Sequence, residues 1–254
     1  VNPEFSVVET DLYNPAVPGS RLGVPAGQLP STLPSLVEGL HVHTLCESSA
    51  QATGELLLAI EEKFGAYLPQ LKWLNLGGGH LMTRQGYDLA HLIAVLQAFK
   101  ARHPHLEVIL EPGSAIAWET GELVSTVLDV VDYGGVQTAL LDVSFTAHMP
   151  DTLEMPYRPL ILGANKDGVG EYQYRMGGAS CLAGDYMEVY GFDHPLQAGD
   201  RIVFWDMIHY TMVKTTMFNG VQHPSIYLVD SREEDAAPRL LRQFTYEDFK
   251  SRLG

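Results

Sequence analysis

Three short segments of the sequence combine residue types that could carry chemistry, and each follows an apolar stretch. The first holds His41 and His43, the second is a run of glycines, and the third begins with Glu111. A glycine run lets backbone N–H groups approach an anion such as a phosphate, although a tight turn would also explain it. Glu111 would need a partner at the end of an apolar strand, for example a protonated cofactor ring nitrogen, unless it is simply solvated. The glycines are Gly77, Gly78 and Gly79.

His41 and His43 are two residues apart on an expected strand, so both side chains should face the same side. That geometry suits a paired-histidine metal site, which Cys46, Asp142 or Asp185 would complete. An imidazole can also stack on a flat cofactor ring, which needs no metal. A strand histidine with a structural role is the third interpretation, and the residues alone do not choose among them.

The second half of the chain offers a loop of small residues that surrounds Cys181 and ends in Asp185. A buried cysteine in such a loop is usually inert. Further along, the hydroxyl of Tyr210 could reach a phosphate, although a core tyrosine with a satisfied hydroxyl is commoner. Taken one at a time, these residues have a structural explanation as good as the functional one.

The elements that must position the first three segments are strands alternating with amphipathic helices. This alternation predicts a parallel sheet or barrel, in which the carboxyl ends of the strands form the active face. Three chemically suggestive segments at consecutive strand ends are harder to obtain by accident than any one of them. The expected strands are 37–43, 73–76 and 106–110, and the expected helices are 51–64 and 87–102.

After about residue 120 the pattern becomes mostly strand-like, at 124–131, 138–143, 187–190 and 201–204. We therefore expect two domains, a partial TIM-type barrel over 1–120 and a mostly β domain over 121–254. Three βα units are too few for a closed eight-fold barrel, which predicts that the early strands are absent from this sequence.

The composition limits the classes of function. The net charge of −15 argues against non-specific binding to nucleic acid and suits a cationic small molecule. No apolar run approaches the roughly 20 residues that span a bilayer. The two cysteines, Cys46 and Cys181, form no disulfide framework, so reduced thiols in a cytoplasmic protein are expected.

Taken together and in this order, the segments resemble the fold-type III pyridoxal-phosphate decarboxylases, the group that contains the ornithine and diaminopimelate decarboxylases. Residues 148–151 (His-Met-Pro-Asp) and 155–159 (Met-Pro-Tyr-Arg-Pro) resemble the branch that acts on carboxynorspermidine and carboxyspermidine. The further matching blocks are 40–47, 75–80, 110–113, the Cys181 loop, Tyr210 and 218–220.

The resemblance implies a role for each matching residue of the cofactor site. His41 would stack on the pyridoxal 5'-phosphate ring, and the glycine run would hold the phosphate. Glu111 would keep the pyridine nitrogen protonated, which makes the ring an electron sink. Tyr210 would add a phosphate contact from the second domain.

The resemblance also implies residues that act on the substrate. Cys181 would enter the active site of a partner subunit and serve protonation, so a homodimer with shared sites is expected. Asp185 and Asp142 match positions near the distal amine of the substrate, and Arg158 is a candidate for a substrate carboxylate. No metal is expected.

Three departures from the family pattern bear on the function. Ser114 stands where ornithine decarboxylase has a phosphate-binding arginine, and Leu182 stands where diaminopimelate decarboxylases have a glutamate, which weighs against diaminopimelate as substrate. The Schiff-base lysine of the first barrel strand has no counterpart, and covalent catalysis needs that amine. The lysines present are Lys63, Lys72, Lys100, Lys166, Lys214 and Lys250.

The expected function is therefore the decarboxylation of a cationic carboxypolyamine, with the lysine supplied by the rest of the protein. One alternative is a non-catalytic homologue that regulates polyamine metabolism, although the cofactor contacts are retained. The others are a diaminopimelate-type amino-acid decarboxylase and a metal-dependent barrel hydrolase that uses His41 and His43.

Overall fold

The structure is a computed structural model that describes residues 1–155, 157–232 and 237–254. Pro156, which belongs to the 155–159 segment of the resemblance, lies outside the described residues. The chain divides into two compact units, Val1–Trp118 and Glu119–Gly254. Each unit has a hydrophobic core of its own.

A parallel sheet forms the centre of the first unit. Its strands are β1 (Gly39–His41), β2 (Trp73–Asn75) and β3 (Glu107–Ile109), in that spatial order. Leu40 pairs with Leu74, and Leu74 pairs with Val108, so the strands start and end level with one another. The structure confirms the predicted strands, although each is shorter than the apolar pattern indicated.

Two long helices connect the strands. Helix α1 (Ala50–Phe64) begins at Ser49, whose hydroxyl accepts a hydrogen bond from the Ala52 N–H and so caps an otherwise unpaired amide. Helix α2 (Leu89–Arg102) begins in the same way at Asp88. The helical spacing of Leu56, Leu57, Ile60 and Phe64 predicts an apolar face for α1, and all four residues are buried.

The helical spacing of Leu89, Leu92, Ile93, Leu96 and Phe99 predicts one buried face for α2, and this prediction is only half right. Leu92 and Phe99 are buried and Leu96 packs against the core. Leu89 and Ile93 are exposed, because the strip of α2 that meets the rest of the unit is narrower than the spacing indicated. A helical spacing predicts which residues share a face, but it does not predict how much of that face packs against other elements.

The second unit is built on a five-stranded mixed sheet in the order β7-β6-β5-β4-β8. Strands β5 and β6 pair in parallel and the other neighbours pair antiparallel. We predicted no strand between 143 and 187, yet β6 has the period-2 burial of a half-buried strand, with Tyr174 and Met176 buried. The strands are β4 (Leu123–Tyr133), β5 (Val136–Leu141), β6 (Tyr172–Gly177), β7 (Tyr186–Phe192) and β8 (Arg201–Phe204).

The other elements of the described residues are short helices and one antiparallel pair of strands. In the first unit, α3 (Gly113–Ala117) follows β3. In the second unit β9 (Ile226–Leu228) and β10 (Arg239–Arg242) form an antiparallel pair. The remaining helices are α4 (Phe145–His148), α5 (Asp151–Glu154), α6 (Tyr210–Lys214) and α7 (Tyr246–Lys250). None of the helices in the described ranges has the length and apolar character that crossing a membrane requires.

Candidate active site

The carboxyl ends of β1, β2 and β3 bring the three chemically suggestive segments together. His41 ends β1 and pairs with Asn75 at the end of β2, which in turn pairs with Ile109. Because the strands are parallel and in register, the residues that follow them emerge at one edge of the sheet. The histidines, the glycine run and Glu111 therefore lie at this edge, as the alternation of strands and helices predicted.

Glu111 is held by two neighbours. Its Oε1 accepts a hydrogen bond from the Asn75 side-chain amide at 2.9 Å, and its Oε2 lies 3.4 Å from His41 Nε2. The side chains of His41 and Glu111 are 47% and 49% exposed, so both remain accessible to a ligand. The carboxylate is fixed in direction without being enclosed.

The glycine run is closely packed against the neighbouring strand ends. Gly77 and Gly79 have φ angles of 67° and 86°, which glycine adopts readily. A Cβ on Gly77 would lie 2.8 Å from the Val42 carbonyl oxygen, and one on Gly78 would lie 2.9 Å from the Glu111 carbonyl oxygen. Close packing alone therefore explains why these positions are glycine.

The amides of the run nevertheless leave room for an anion. The Gly77 N–H donates to Asn75 Oδ1 at 2.8 Å, and the Gly78 N–H donates to His43 Nδ1 at 3.4 Å. The Gly79 N–H, on a half-buried residue, has no hydrogen-bond partner among the described residues. The run thus presents one free donor on a backbone whose other amides are fixed.

The pKa of His43 is lowered. Partial desolvation of its ring is the largest cause, the neighbouring His41 acts in the same direction, and Glu111 opposes the effect. Since Nδ1 accepts the Gly78 N–H, we assign the proton of the neutral ring to Nε2. The ligand atoms of His41, His43 and Glu111 lie within 4.8 Å of one another, a spacing that a metal ion could bridge.

Cys181 in the second unit is exposed, and a buried carboxylate organises its loop. Asp185 is 4% exposed, and its two oxygens accept hydrogen bonds from the Thr146 and Ser180 N–H groups, both at 3.0 Å. Burial acts to raise its pKa, but these hydrogen bonds outweigh it and the pKa is lowered. Gly178 lies so close that a Cβ there would overlap the carboxylate.

The Asp142 carboxylate differs from that of Asp185 because it is exposed. Its Oδ1 accepts hydrogen bonds from the Ser125 hydroxyl at 2.7 Å and from the Thr126 N–H at 2.8 Å. One oxygen thus fixes the side chain to strand β4. The other is oriented and accessible to a cation.

Arg158 is engaged with the β-sheet of the second unit. Its guanidinium lies over the Tyr190 ring, 4.8 Å from the ring centroid, and donates to the Val189 carbonyl. A substrate carboxylate would have to share the guanidinium with these partners. The structure therefore gives Arg158 a packing function that its sequence context did not indicate.

Tyr210 begins α6 and is 56% exposed, so it is not a core tyrosine. The opposite end of α6 is held by Lys214, which bonds to Asp151 and to Glu154 on α5. Tyr210 is thus an exposed residue at the start of a helix whose other end is held by ion pairs.

Two residues of the first unit were not predicted as functional. Asn75 links the glycine run to Glu111 through the two ends of one carboxamide. His80, directly after the run, is 1% exposed and lies against α1. Only their positions in the sequence could have indicated a functional role, because a polar residue at the end of a buried strand or beside a glycine run is unusual.

Comparison with known proteins shows the family. Residues 13–208 match a family model described as pyridoxal-dependent decarboxylase, C-terminal sheet domain. Carboxyaminopropylagmatine decarboxylase of Synechocystis sp. is 58% identical over 100% of this chain and 65% of that protein. Carboxynorspermidine/carboxyspermidine decarboxylase of Campylobacter jejuni is 43% identical over 99% of this chain and 67% of that protein. The chain spans about two thirds of the length of these relatives.

A solved structure supports the fold. The crystal structure of Campylobacter jejuni carboxynorspermidine decarboxylase complexed with norspermidine has a TM-score of 0.85 and 42% identity, over 92% of this chain and 65% of that chain. This confirms the expected class, part of a pyridoxal-phosphate-binding barrel followed by a mostly β domain. The chain belongs to the pyridoxal-dependent decarboxylase family.

Proposed function

We propose that the protein containing this chain decarboxylates a carboxylated polyamine with pyridoxal 5'-phosphate as cofactor. The observation that carries the proposal is the cluster of a glycine run with a free amide, an accessible imidazole and an oriented carboxylate at one sheet edge. The family match and the relatives support it.

The residues present fit the cofactor. The Gly79 N–H suits the phosphate, Glu111 suits a protonated pyridine nitrogen, and His41 suits the face of the ring. When bound, pyridoxal phosphate supplies an electron sink for the electron pair left by carbon dioxide. Asn75 keeps the Glu111 carboxylate oriented, so the proton on the ring nitrogen is held at a fixed place.

The second unit would supply substrate and proton contacts. We propose Cys181 as the proton donor in a homodimer with shared sites, and Tyr210 as a phosphate contact. Asp142 is the better candidate for the distal cationic group of the substrate, because both oxygens of Asp185 are already engaged. Arg158 remains a candidate for a carboxylate only if it leaves the Val189 carbonyl. Two exposed thiols support a reducing compartment such as the cytoplasm.

The substrate class is a carboxylated aminopropyl conjugate. The names of the relatives point to carboxynorspermidine or carboxyspermidine and to carboxyaminopropylagmatine. All of these are cationic, which suits a chain of net charge −15 and makes nucleic acid an unsuitable partner. Leu182, which is apolar and 47% exposed, weighs against diaminopimelate, because it offers nothing to a second ammonium group.

The test uses the full-length protein. We expect an absorbance band of lysine-bound cofactor that borohydride reduction fixes to the protein, and turnover of one or more of the three carboxypolyamines. Glu111→Gln should lower turnover at least about 100-fold, as for loss of a group that holds a proton in place. Glu107→Gln, which changes an exposed glutamate on the strand β3 that precedes Glu111, is the matched control.

Two results would contradict the proposal. A protein that binds no pyridoxal phosphate but carries a transition metal would favour the barrel hydrolase, which the spacing of His41, His43 and Glu111 permits. A preference for diaminopimelate over the carboxypolyamines would overturn the substrate class.

A further inference from the structure

His80 is a buried histidine outside the set of residues that contact the cofactor in the proposed function. It follows Gly79 directly, its side chain is 1% exposed, and its Nδ1 lies 3.2 Å from the Thr53 hydroxyl oxygen. Thr53 is fully buried in the first half of α1. The contact joins residues 27 positions apart in the sequence and thereby connects the glycine run to a long helix.

The backbone around His80 is fixed on a second side. The Ser48 N–H donates to the Gly79 carbonyl at 2.8 Å, and Ser48 and His80 form an isolated parallel bridge. A Cβ on Gly79 would overlap the Leu45 carbonyl, so the run lies directly against this segment. The residue that carries the free N–H, Gly79, is therefore held by the segment before α1 on one side and, through His80, by α1 itself on the other.

The electrostatics of the site keep the ring neutral. Burial is the largest influence and lowers the pKa of His80, and the neighbouring His43 acts in the same direction. The backbone of Leu76 and Gly77 acts in the opposite direction without reversing the shift. A neutral His80 ring can form one hydrogen bond with the Thr53 hydroxyl without placing a buried charge beside the glycine run.

We propose that His80 is a positioning residue, which holds the glycine run in its phosphate-binding conformation by joining it to Thr53 on α1. The inference rests on the proposed function, in that the run is taken to bind the phosphate of pyridoxal phosphate. His80 touches neither cofactor nor substrate, and it acts through the orientation of the Gly79 N–H. A fixed donor binds an anion more tightly than a mobile one, because less freedom is lost on binding.

The experiment separates the phosphate from the rest of the cofactor. His80→Phe keeps an aromatic ring of similar size, and Thr53→Val removes only the hydroxyl partner. Dissociation constants of pyridoxal phosphate and of pyridoxal are measured on the full-length apoprotein, together with the ³¹P chemical shift of the bound cofactor. His105→Phe replaces an exposed histidine of the same unit, whose Nε2 lies 3.0 Å from the Leu68 carbonyl oxygen, and serves as the matched control.

We expect both variants to bind pyridoxal phosphate at least about tenfold more weakly and with a shifted ³¹P signal, since a tenfold change is a typical result of losing one ordered contact. The affinity of both variants for pyridoxal, and the affinity of the His105→Phe control for pyridoxal phosphate, should change by less than about threefold. The positioning role alone is overturned by either of two results. One is an unchanged affinity of Thr53→Val for pyridoxal phosphate, and the other is an equal loss of affinity for pyridoxal and for pyridoxal phosphate. Failure of the unsubstituted protein to bind pyridoxal phosphate overturns the proposed function, and this inference with it.

Discussion

At the scale of single residues, burial decides what a side chain of given type can do. Asp142 and Asp185 are both aspartates that the family resemblance assigned to the substrate amine. Asp142 is exposed with one oxygen in use, whereas Asp185 is buried with both oxygens held by backbone amides. Sequence identifies the carboxylate, but the accessibility of each oxygen depends on contacts with residues up to 39 positions away.

Asp185→Asn should loosen the loop that carries Cys181. An amide group has only one acceptor oxygen, so the N–H of Thr146 or Ser180 loses its partner, at a cost of about 1–3 kcal/mol. We expect faster reaction of the Cys181 thiol with a disulfide reagent and a lower midpoint of urea unfolding. Asp193→Asn, an exposed aspartate of the same unit, should change neither quantity.

The pH dependence of the Asp185 contribution has a definite sign. Its folded pKa is lowered, so the carboxylate stabilises the fold above the unfolded pKa of 3.8, and the contribution is lost as the pH falls through the folded pKa.

A Cys181 reactivity that is the same in Asp185→Asn and in the unsubstituted protein would show that other contacts order the loop.

At the scale of elements, the sequence predicted the site better than it predicted the faces of the helices. The order β1, β2, β3 with α1 and α2 between them followed from hydrophobic periodicity, and it placed the chemistry at one sheet edge. Strand β6 was not predicted, although the alternation of apolar and polar residues in its sequence is typical of a half-buried strand. The exposed side of α2 was not predictable, since it depends on the neighbours that the helix finds.

Lys214→Met should weaken the junction of α5 and α6. The Lys214 ammonium bonds to both Asp151 and Glu154. These two contacts raise the pKa of the lysine, and Asp151 has the larger effect. The lysine side chain is 35% exposed, so solvent screens the pair and the expected loss is about 1 kcal/mol in the free energy of unfolding. Urea titration checks this value.

The matched control for the junction is Lys250→Met. The Lys250 ammonium lies 3.8 Å from Glu247 in an exposed pair, and its loss should change the unfolding free energy by less than about 0.5 kcal/mol. Equal effects of the two substitutions would mean that Lys214 contributes no more than a surface charge.

At the scale of the whole molecule, the chain consists of two units, each with a hydrophobic core of its own. The change of pattern near residue 120 predicts two parts. The burial of His80 and of His148 could not be predicted, because it depends in part on residues that are distant in sequence, such as Thr53 for His80 and His223 for His148. Both histidines are held neutral by burial.

His148 should make the second unit sensitive to acid. Burial, with His223 nearby, lowers its pKa to about 4, while Asp185 and Asp142 act against the shift. The unfolded state binds a proton below about pH 6.5 and the folded state does so only near pH 4, so stability falls as the pH drops between these values. The loss by pH 4 is on the order of 3 kcal/mol.

Unfolding free energies measured by circular dichroism at several pH values test this expectation. His148→Gln should flatten the dependence between pH 6.5 and pH 4, even if it lowers stability at neutral pH. His194→Gln, which alters an exposed histidine, should leave the slope intact. A slope that survives in His148→Gln would assign the acid sensitivity to other groups.

The double hydrogen bond of Asn75 has a consequence for how this protein can evolve. One carboxamide donates to Glu111 and accepts from Gly77, so its orientation is set by partners on two different strand ends. A lineage that replaces Asn75 by Asp keeps the acceptor but sets two carboxylates against each other, and one that replaces it by Ser cannot span both partners. Asn75 and Glu111 are therefore expected to be inherited as a pair, and drift at one position is tolerated only when the other changes with it.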